Sequence, residues 1–314
     1  MPRLIVLTHP DCLAHDPGPG HPESPARLQV VLEALRGHFD DLDWRQAPAA
    51  TRESLLRVHT ASLLHTVLDT PLQGLRHLDP DTVMGPASPQ AVLRGAGAAV
   101  AAVDAVIEAG TGAAFCAVRP PGHHATADTA MGFCLLNHAA IAAAHARDVH
   151  GLDRIAIVDF DVHHGNGTQA IFAGERRVAY FSSHQSGLYP HSGAPGEHGM
   201  GNLHNALLPP GSGGMRFRDV WLERLLPALD QARPQLLIVS AGFDAHRSDP
   251  LADLMLEAED YAWITHVLAA LAARHAQGRV VSVLEGGYAA EGLREGVVAH
   301  VGALRQACAG AGGR

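Results

Sequence analysis

Short apolar runs rich in Val, Ile and Ala alternate along this chain with longer amphipathic segments. Six runs read as strands: Leu4–Thr8, Ala113–Val118, Arg154–Phe160, Val178–Ser182, Gln235–Ser240 and Arg279–Leu284. Several are apolar almost throughout, the pattern of parallel strands buried on both faces. Between them, Ser88–Ala109, Asn137–Val149, Phe217–Ala232 and Leu254–Ala276 read as helices. Ser24-Pro25 reads as a helix start, a cap residue followed by Pro at the first helical position. The alternation predicts an α/β fold, one parallel sheet with helices on both faces, in a single domain over residues 1–314. No linker or repeat interrupts it, and only the tail after Ala307 is Gly/Ala-rich.

Polar, Gly-rich segments follow five of the strands at once. They are RPPGHHATADTAMG after Val118, DVHHGNGTQ after Phe160, SHQSGLYPHSGAPGEHGMGN after Ser182, AGFDAHRSDP after Ser240 and EGGYAAEG after Leu284. Ligands bind at the carboxyl ends of strands in open α/β sheets. Five loops far apart in sequence are therefore expected on one rim.

With 47% hydrophobic and 18% charged residues the chain can bury a sizeable core. The net charge is −9 and the 23 Lys and Arg are scattered, so no basic face for nucleic acid is expected. The opening MPRLIVLTHP lacks signal-peptide architecture. No uninterrupted apolar stretch reads as long enough to span a bilayer, so no membrane association is expected. Cys12, Cys116, Cys134 and Cys308 form no C-x-x-C pair. They read as reduced thiols of a cytoplasmic protein, not as a zinc site.

Among 22 histidines, the informative ones stand beside carboxylates. Asp159, Asp161 and His163 sit at i, i+2 and i+4 at a strand end, a spacing that turns all three toward one face. Asp161 and His163 can share one divalent ion, and Asp244, beyond another strand end, is the natural third ligand. Two aspartates and one histidine leave a coordination position open, as catalytic zinc requires. Ferrous iron also accepts such a set. A two-manganese site would need further carboxylates where Gly165 and His246 stand, so one metal per chain is expected. The tandem His123-His124 lies on a Pro-stiffened turn, and each imidazole needs a partner to fix its tautomer. Asp159 and Asn166 are the candidates: an Asp partner favours imidazolium, whereas Asn leaves the ring easier to deprotonate. Tyr288, beyond Gly286-Gly287, is a candidate donor to an oxyanion.

RPPGHHA, MGFCLLNHAAIA, DFDVHHGNGT, SAGFDAHRSDPLA and LEGGY, in this order and preceded by GHPESPARL, resemble the histone deacetylase superfamily. That group includes bacterial deacetylase-like proteins, acetoin-utilisation proteins and acetylpolyamine amidohydrolases. The resemblance runs from about His9 to about Leu293. It implies a three-layer arginase/deacetylase fold with a mostly parallel eight-stranded sheet, and a zinc-dependent hydrolase that removes acyl groups from amines. It implies zinc on Asp161, His163 and Asp244, His123 backed by Asp159 as the electrostatic histidine, His124 backed by Asn166 as the general base, and Tyr288 as the transition-state tyrosine. Gly132, Phe133 and Tyr189 correspond to walls of an acyl-lysine tunnel. Asp159, Asp161, His163, Ser182 and Ser183 resemble a structural potassium site, and Arg27 an internal-channel arginine.

Departures refine this. Leu251 follows SDP where some polyamine-specific relatives carry Glu, which favours an acyl-lysine peptide or protein over a small acylated amine. Leu251 resembles lysine deacetylases of the second eukaryotic class and their bacterial kin, and so does Asn166, since the first class usually has Asp there. Tyr288 is retained, which argues for real turnover. A small-molecule amidohydrolase and a silent acyl-amine binding module remain the competing readings. His138 stands where Asn is common, and His191-Ser192-Gly193 where G-T-G is common.

Overall fold

The computed structural model of the chain describes residues 3–311. The strands are β1 (Ile5–Thr8), β2 (Asp43–Gln46), β3 (Arg76–His77), β4 (Val83–Met84), β5 (Ala113–Cys116), β6 (Ile155–Asp159), β7 (Val178–Gln185), β8 (Leu203–Leu208), β9 (Leu236–Ala241) and β10 (Val280–Leu284). Eight of them form one sheet in the order β2-β1-β5-β10-β9-β6-β7-β8. Every pairing in it is parallel. β3 and β4 make a separate antiparallel hairpin.

The six predicted strands are all present, with ends within two residues except in one case. β7 continues to Gln185, so the Gly-rich loop expected directly after Ser182 begins three residues later. Both unpredicted members of the main sheet, β2 and β8, are its edges. β2 reads Asp-Trp-Arg-Gln and is nowhere fully buried, and β8 carries His204 and Asn205 within its apolar frame. Neither has the continuous apolar run that burial between two neighbours selects.

Helices cover both faces. Ser88–Glu108 and His138–Asp148 pack on each other and on the central strands. Ala290–Ala311 packs on β5 with Ala258–His275 and Pro25–His38 beside it. The segment read as one helix over Phe217–Ala232 starts at Gly214 and widens into a π-turn at Trp221–Leu225. The helix expected from Leu254 begins at Ala258, because Glu257 and Asp260 form a reciprocal capping box there. Ala290–Ala311 was not predicted: its Gly/Ala-rich end is helical, since Ala is the best helix former.

One expectation is corrected. Ser88–Glu108 is long and apolar enough to cross a membrane, with mean hydropathy 1.4 over an 18-residue window. Here its Ala and Val faces are packed against β1, β5, β10 and the neighbouring helix. The four cysteines are unpaired and buried.

Candidate active site

Four central strands, β5, β10, β9 and β6, lie side by side, and their carboxyl ends bring the predicted residues together. Asp159 ends β6. Asp161 and His163 follow it, Asp244 lies just past β9, and Glu285–Tyr288 follow β10. His163 Nδ1 is 3.1 Å from Asp161 Oδ1 and 3.2 Å from Asp244 Oδ2. All three donor atoms lie within 4.8 Å of one another.

Two fully buried carboxylates facing each other across one imidazole need a cation. Burial opposes the charge on His163, yet hydrogen bonds to Asp161 and Asp244 push it up to about 10. Burial, with Asp161 beside it, pushes Asp244 up to about 7. The donor set suits a divalent ion, which would take the place of the imidazolium proton and neutralise both carboxylates. Glycine keeps the cradle open: a Cβ at Gly242 would overlap Asp161 Oδ2, and one at Gly286 would overlap Asp244 Oδ2. The main chain fixes the carboxylates, with Gly286 N–H donating to Asp161 Oδ2 at 2.9 Å and Val162 N–H to Asp244 Oδ1 at 2.9 Å.

The tandem histidines stand beside this cluster with their rings 4.0 Å apart and with different partners. His123 Nδ1 pairs with Asp159 Oδ2 at 3.0 Å, and its Nε2 is 3.8 Å from Asp161 Oδ1. Burial works against its charge, but Asp161 and Asp159 hold its pKa well above the usual histidine value. His124 Nδ1 pairs with Asn166 Oδ1 at 2.8 Å. The amide oxygen accepts a hydrogen bond from Nδ1–H, which keeps the proton on Nδ1 and leaves Nε2 with a free lone pair. Burial, then the neighbouring His123 and His163, hold His124 well below the usual value. Two identical side chains in adjacent positions thus carry opposite charge preferences.

Several groups with no assigned role in the sequence complete the site. Tyr180 donates its hydroxyl to Asp159 Oδ2 at 3.0 Å, orienting the carboxylate that holds His123. It sits inside an apolar strand run, so nothing in the pattern marks it. The buried Glu285, in the quoted LEGGY, accepts from Gly122 N–H at 2.6 Å and His123 N–H at 3.1 Å. It ties the histidine turn to the tyrosine loop. Burial pushes its carboxyl up to about 7. Asp249, in the SDP segment, accepts from Tyr288 N–H at 2.7 Å and so fixes the start of that residue.

Tyr288 is half-buried, with the Arg27 guanidinium 4.7 Å from its ring centre and Phe133 edge-on at 5.7 Å. Arg27 donates to Gly287 O at 2.6 Å, Glu285 O at 2.5 Å and Glu23 Oε1 at 2.9 Å. Glu23 in turn pairs with Arg119 and with His15. Burial opposes its ionisation, but Arg119, His15 and Arg27 hold it well below the usual carboxylate range. This buried network is the floor under the Gly286-Gly287 loop.

Gly132, Phe133 and Tyr189 lie around His124 and Tyr288. Tyr189 is edge-on to His124 at 5.2 Å. Gly132 has φ +56, and a Cβ there would overlap the His124 ring, so glycine is required. Phe133 adopts φ 66, unusual for a bulky residue; Thr82 Oγ1 accepts its N–H at 3.0 Å. Leu251 is half-buried, its N–H on Asp249 Oδ1 at 3.0 Å. Ser182 Oγ is 2.9 Å from His184 Nδ1, whereas Ser183 Oγ accepts from Trp221 Nε1 at 3.1 Å. Strand alternation therefore turns the two hydroxyls to opposite faces, and only that of Ser182 lies on the His184 side. The departing residues have partners: His138, at the start of its helix, has Nε2 3.0 Å from Pro120 O, and Ser192 Oγ is 2.7 Å from His164 Nδ1.

Comparisons with known proteins agree with this arrangement. Residues 21–304 match the histone deacetylase domain model. The chain is 42% identical over 277 residues to a histone deacetylase-like amidohydrolase of Pseudomonas aeruginosa, covering 86% of this chain and 73% of that one. It is 38% identical over 296 residues to a probable deacetylase of Archaeoglobus fulgidus, covering 91% and 82%. The crystal structure of the HDA15 HD domain superposes with a TM-score of 0.91 at 32% identity, over 97% of this chain and 89% of that one. The eight-stranded α/β sheet is thus that of the arginase/deacetylase fold, acylated amines are the implied substrates, and the chain belongs to the histone deacetylase family of deacetylases and amidohydrolases.

Proposed function

We propose that this protein is a zinc-dependent hydrolase that removes acetyl or other acyl groups from the ε-amine of lysine in peptides or proteins. The observation that carries the reading is the convergence of Asp161, His163 and Asp244 beside two histidines of opposite charge preference. Asp161, His163 and Asp244 would hold the ion, which when bound supplies a Lewis acid for the amide carbonyl and acidifies water. Ferrous iron would fit the same donors.

The chain's own groups divide the remaining work. His124 Nε2, unprotonated and unpartnered, takes the proton of the attacking water. His123, kept cationic by Asp159, lies beside the developing negative charge and stabilises it. The Tyr288 hydroxyl donates to the tetrahedral oxyanion. Protonated His124 then gives its proton to the leaving nitrogen as the C–N bond breaks, releasing a carboxylate and a free amine. Phe133 and Tyr189 flank the aliphatic stem of the substrate, and the neutral Leu251 offers no counter-charge for a second cationic amine.

The test compares turnover of an acetyl-lysine peptide with that of acetylspermidine. The peptide is expected to be the better substrate. Preference for acetylspermidine by more than about tenfold would establish a small-molecule amidohydrolase instead, a difference of about 1.4 kcal/mol in transition-state binding. Hydrolysis of neither, nor of longer acyl chains, by the zinc-loaded protein would favour a binding module.

A further inference from the structure

Among the described residues a second group of three metal-capable side chains lies at the other end of the sheet: Asp104, His145 and His150. Asp104 projects from Ser88–Glu108, a helix whose only other charged residues are Arg94 and Glu108. His145 is in the last turn of His138–Asp148. His150 follows in the connection to β6, before the strand whose far end carries Asp159. Both imidazoles aim Nε2 at one atom, Asp104 Oδ1, at 2.7 Å each. Their rings are 5.3 Å apart and inclined at 78°. His145 is buried, and Asp104 and His150 are half-buried, so the cluster meets solvent on one side.

We propose that Asp104, His145 and His150 form a second divalent-metal site, suited to zinc or another borderline ion, separate from the catalytic cluster. Two imidazoles and one carboxylate are an established donor set for such ions. Tetrahedral bonds of 2.0–2.1 Å place donor atoms about 3.3 Å apart, so the group needs to widen by only about 0.6 Å to admit the ion. Three ligands leave a fourth position, on the solvent side, for water. The two helices that carry Asp104 and His145 are packed together, so most of the site is organised before the ion arrives. A plain His–Asp–His hydrogen-bonded cluster uses the same contacts, and one neighbour favours it. Arg57 Nη1 lies 3.4 Å from His145 Nδ1, and that nitrogen must carry the proton when Nε2 binds metal. The guanidinium then has to turn away, toward Glu53, which it already holds at 2.7 Å. The site is therefore weaker than one with an acceptor behind each imidazole, and its ion would brace the two helices to the base of β6.

The test is equilibrium dialysis of the full chain against micromolar zinc, with metal counted per chain in wild type, His150→Ala and Asp104→Asn. The expected result is two zinc ions in wild type and one in each variant, with deacylase turnover unchanged within about twofold, which also reports that the variants are folded. Equal counts in wild type and variants would overturn the proposal. The difference of one ion does not depend on the proposed function: if the catalytic cluster held no zinc, all three counts would fall by one and the difference would persist.

Discussion

The two ends of the parallel sheet carry similar side chains put to different use. At the carboxyl ends, Asp161, His163 and Asp244 come from the neighbouring strands β6 and β9, and both carboxylates are fully buried. Around them Asp159 pairs with His123, Tyr180 holds Asp159, Glu285 holds the His123 backbone, and Gly242 and Gly286 leave room for the two carboxylates. At the amino ends, Asp104, His145 and His150 sit between two helices and a loop with one carboxylate and partial exposure. The first cluster holds two fully buried carboxylates against one imidazole; the second holds one half-buried carboxylate between two imidazoles. Donor identity alone does not separate a catalytic centre from a peripheral one. Burial, charge balance and the partners behind the ligands do.

The sharpest way to break the comparison is to remove a donor from each end. Asp244→Asn is expected to cost more than about 10³-fold in kcat together with the metal, whereas His150→Ala leaves kcat unchanged; metal analysis and steady-state kinetics on both check it. Next, His124→Ala and Tyr288→Phe should each lower kcat by about 10²-fold or more while metal content holds. Loss of metal in either would contradict the roles assigned to them. Smaller is Glu285→Ala, which frees two N–H groups on the histidine turn and should cost about tenfold in kcat with KM little changed. Glu285→Gln keeps an acceptor for those groups and should restore most of the loss.

The smallest effect concerns pH. His124 must be neutral to act as a base, so activity falls as pH drops through its pKa. Burial, His123 and His163 keep that pKa low, so the acidic limb of kcat/KM should lie below the ordinary histidine range. In Asn166→Asp a carboxylate would face Nδ1 and favour imidazolium, moving that limb upward by about one to two pH units. A limb that stays in place would mean that His124 is not the group being titrated.

Much of the carboxyl-terminal site was legible because its residues fall in compact motifs at strand ends. The i, i+2, i+4 spacing of Asp159, Asp161 and His163 and the tandem His123-His124 each carry their geometry locally. The pairing of Asp159 with His123 and Asn166 with His124 could be proposed and is what the fold produces. What stayed hidden depends on long-range packing. Tyr180 looks like any apolar strand residue until β7 is laid beside β6. Asp104 and His150 are 46 positions apart, and nothing local links them. The edge strands lack the apolar signature of the inner ones: β2 because it is largely open to solvent, β8 because His204 and Asn205 interrupt its apolar run.

The most direct test is acetate release from an acetyl-lysine peptide by protein stripped of metal with a chelator, then measured again after one equivalent of zinc is restored. Asp161, His163, Asp244, His124 and Tyr288 acting as described predict turnover lost on stripping by at least about 10³-fold and recovered with zinc. Undiminished hydrolysis by the stripped protein, or none after reloading, would contradict it.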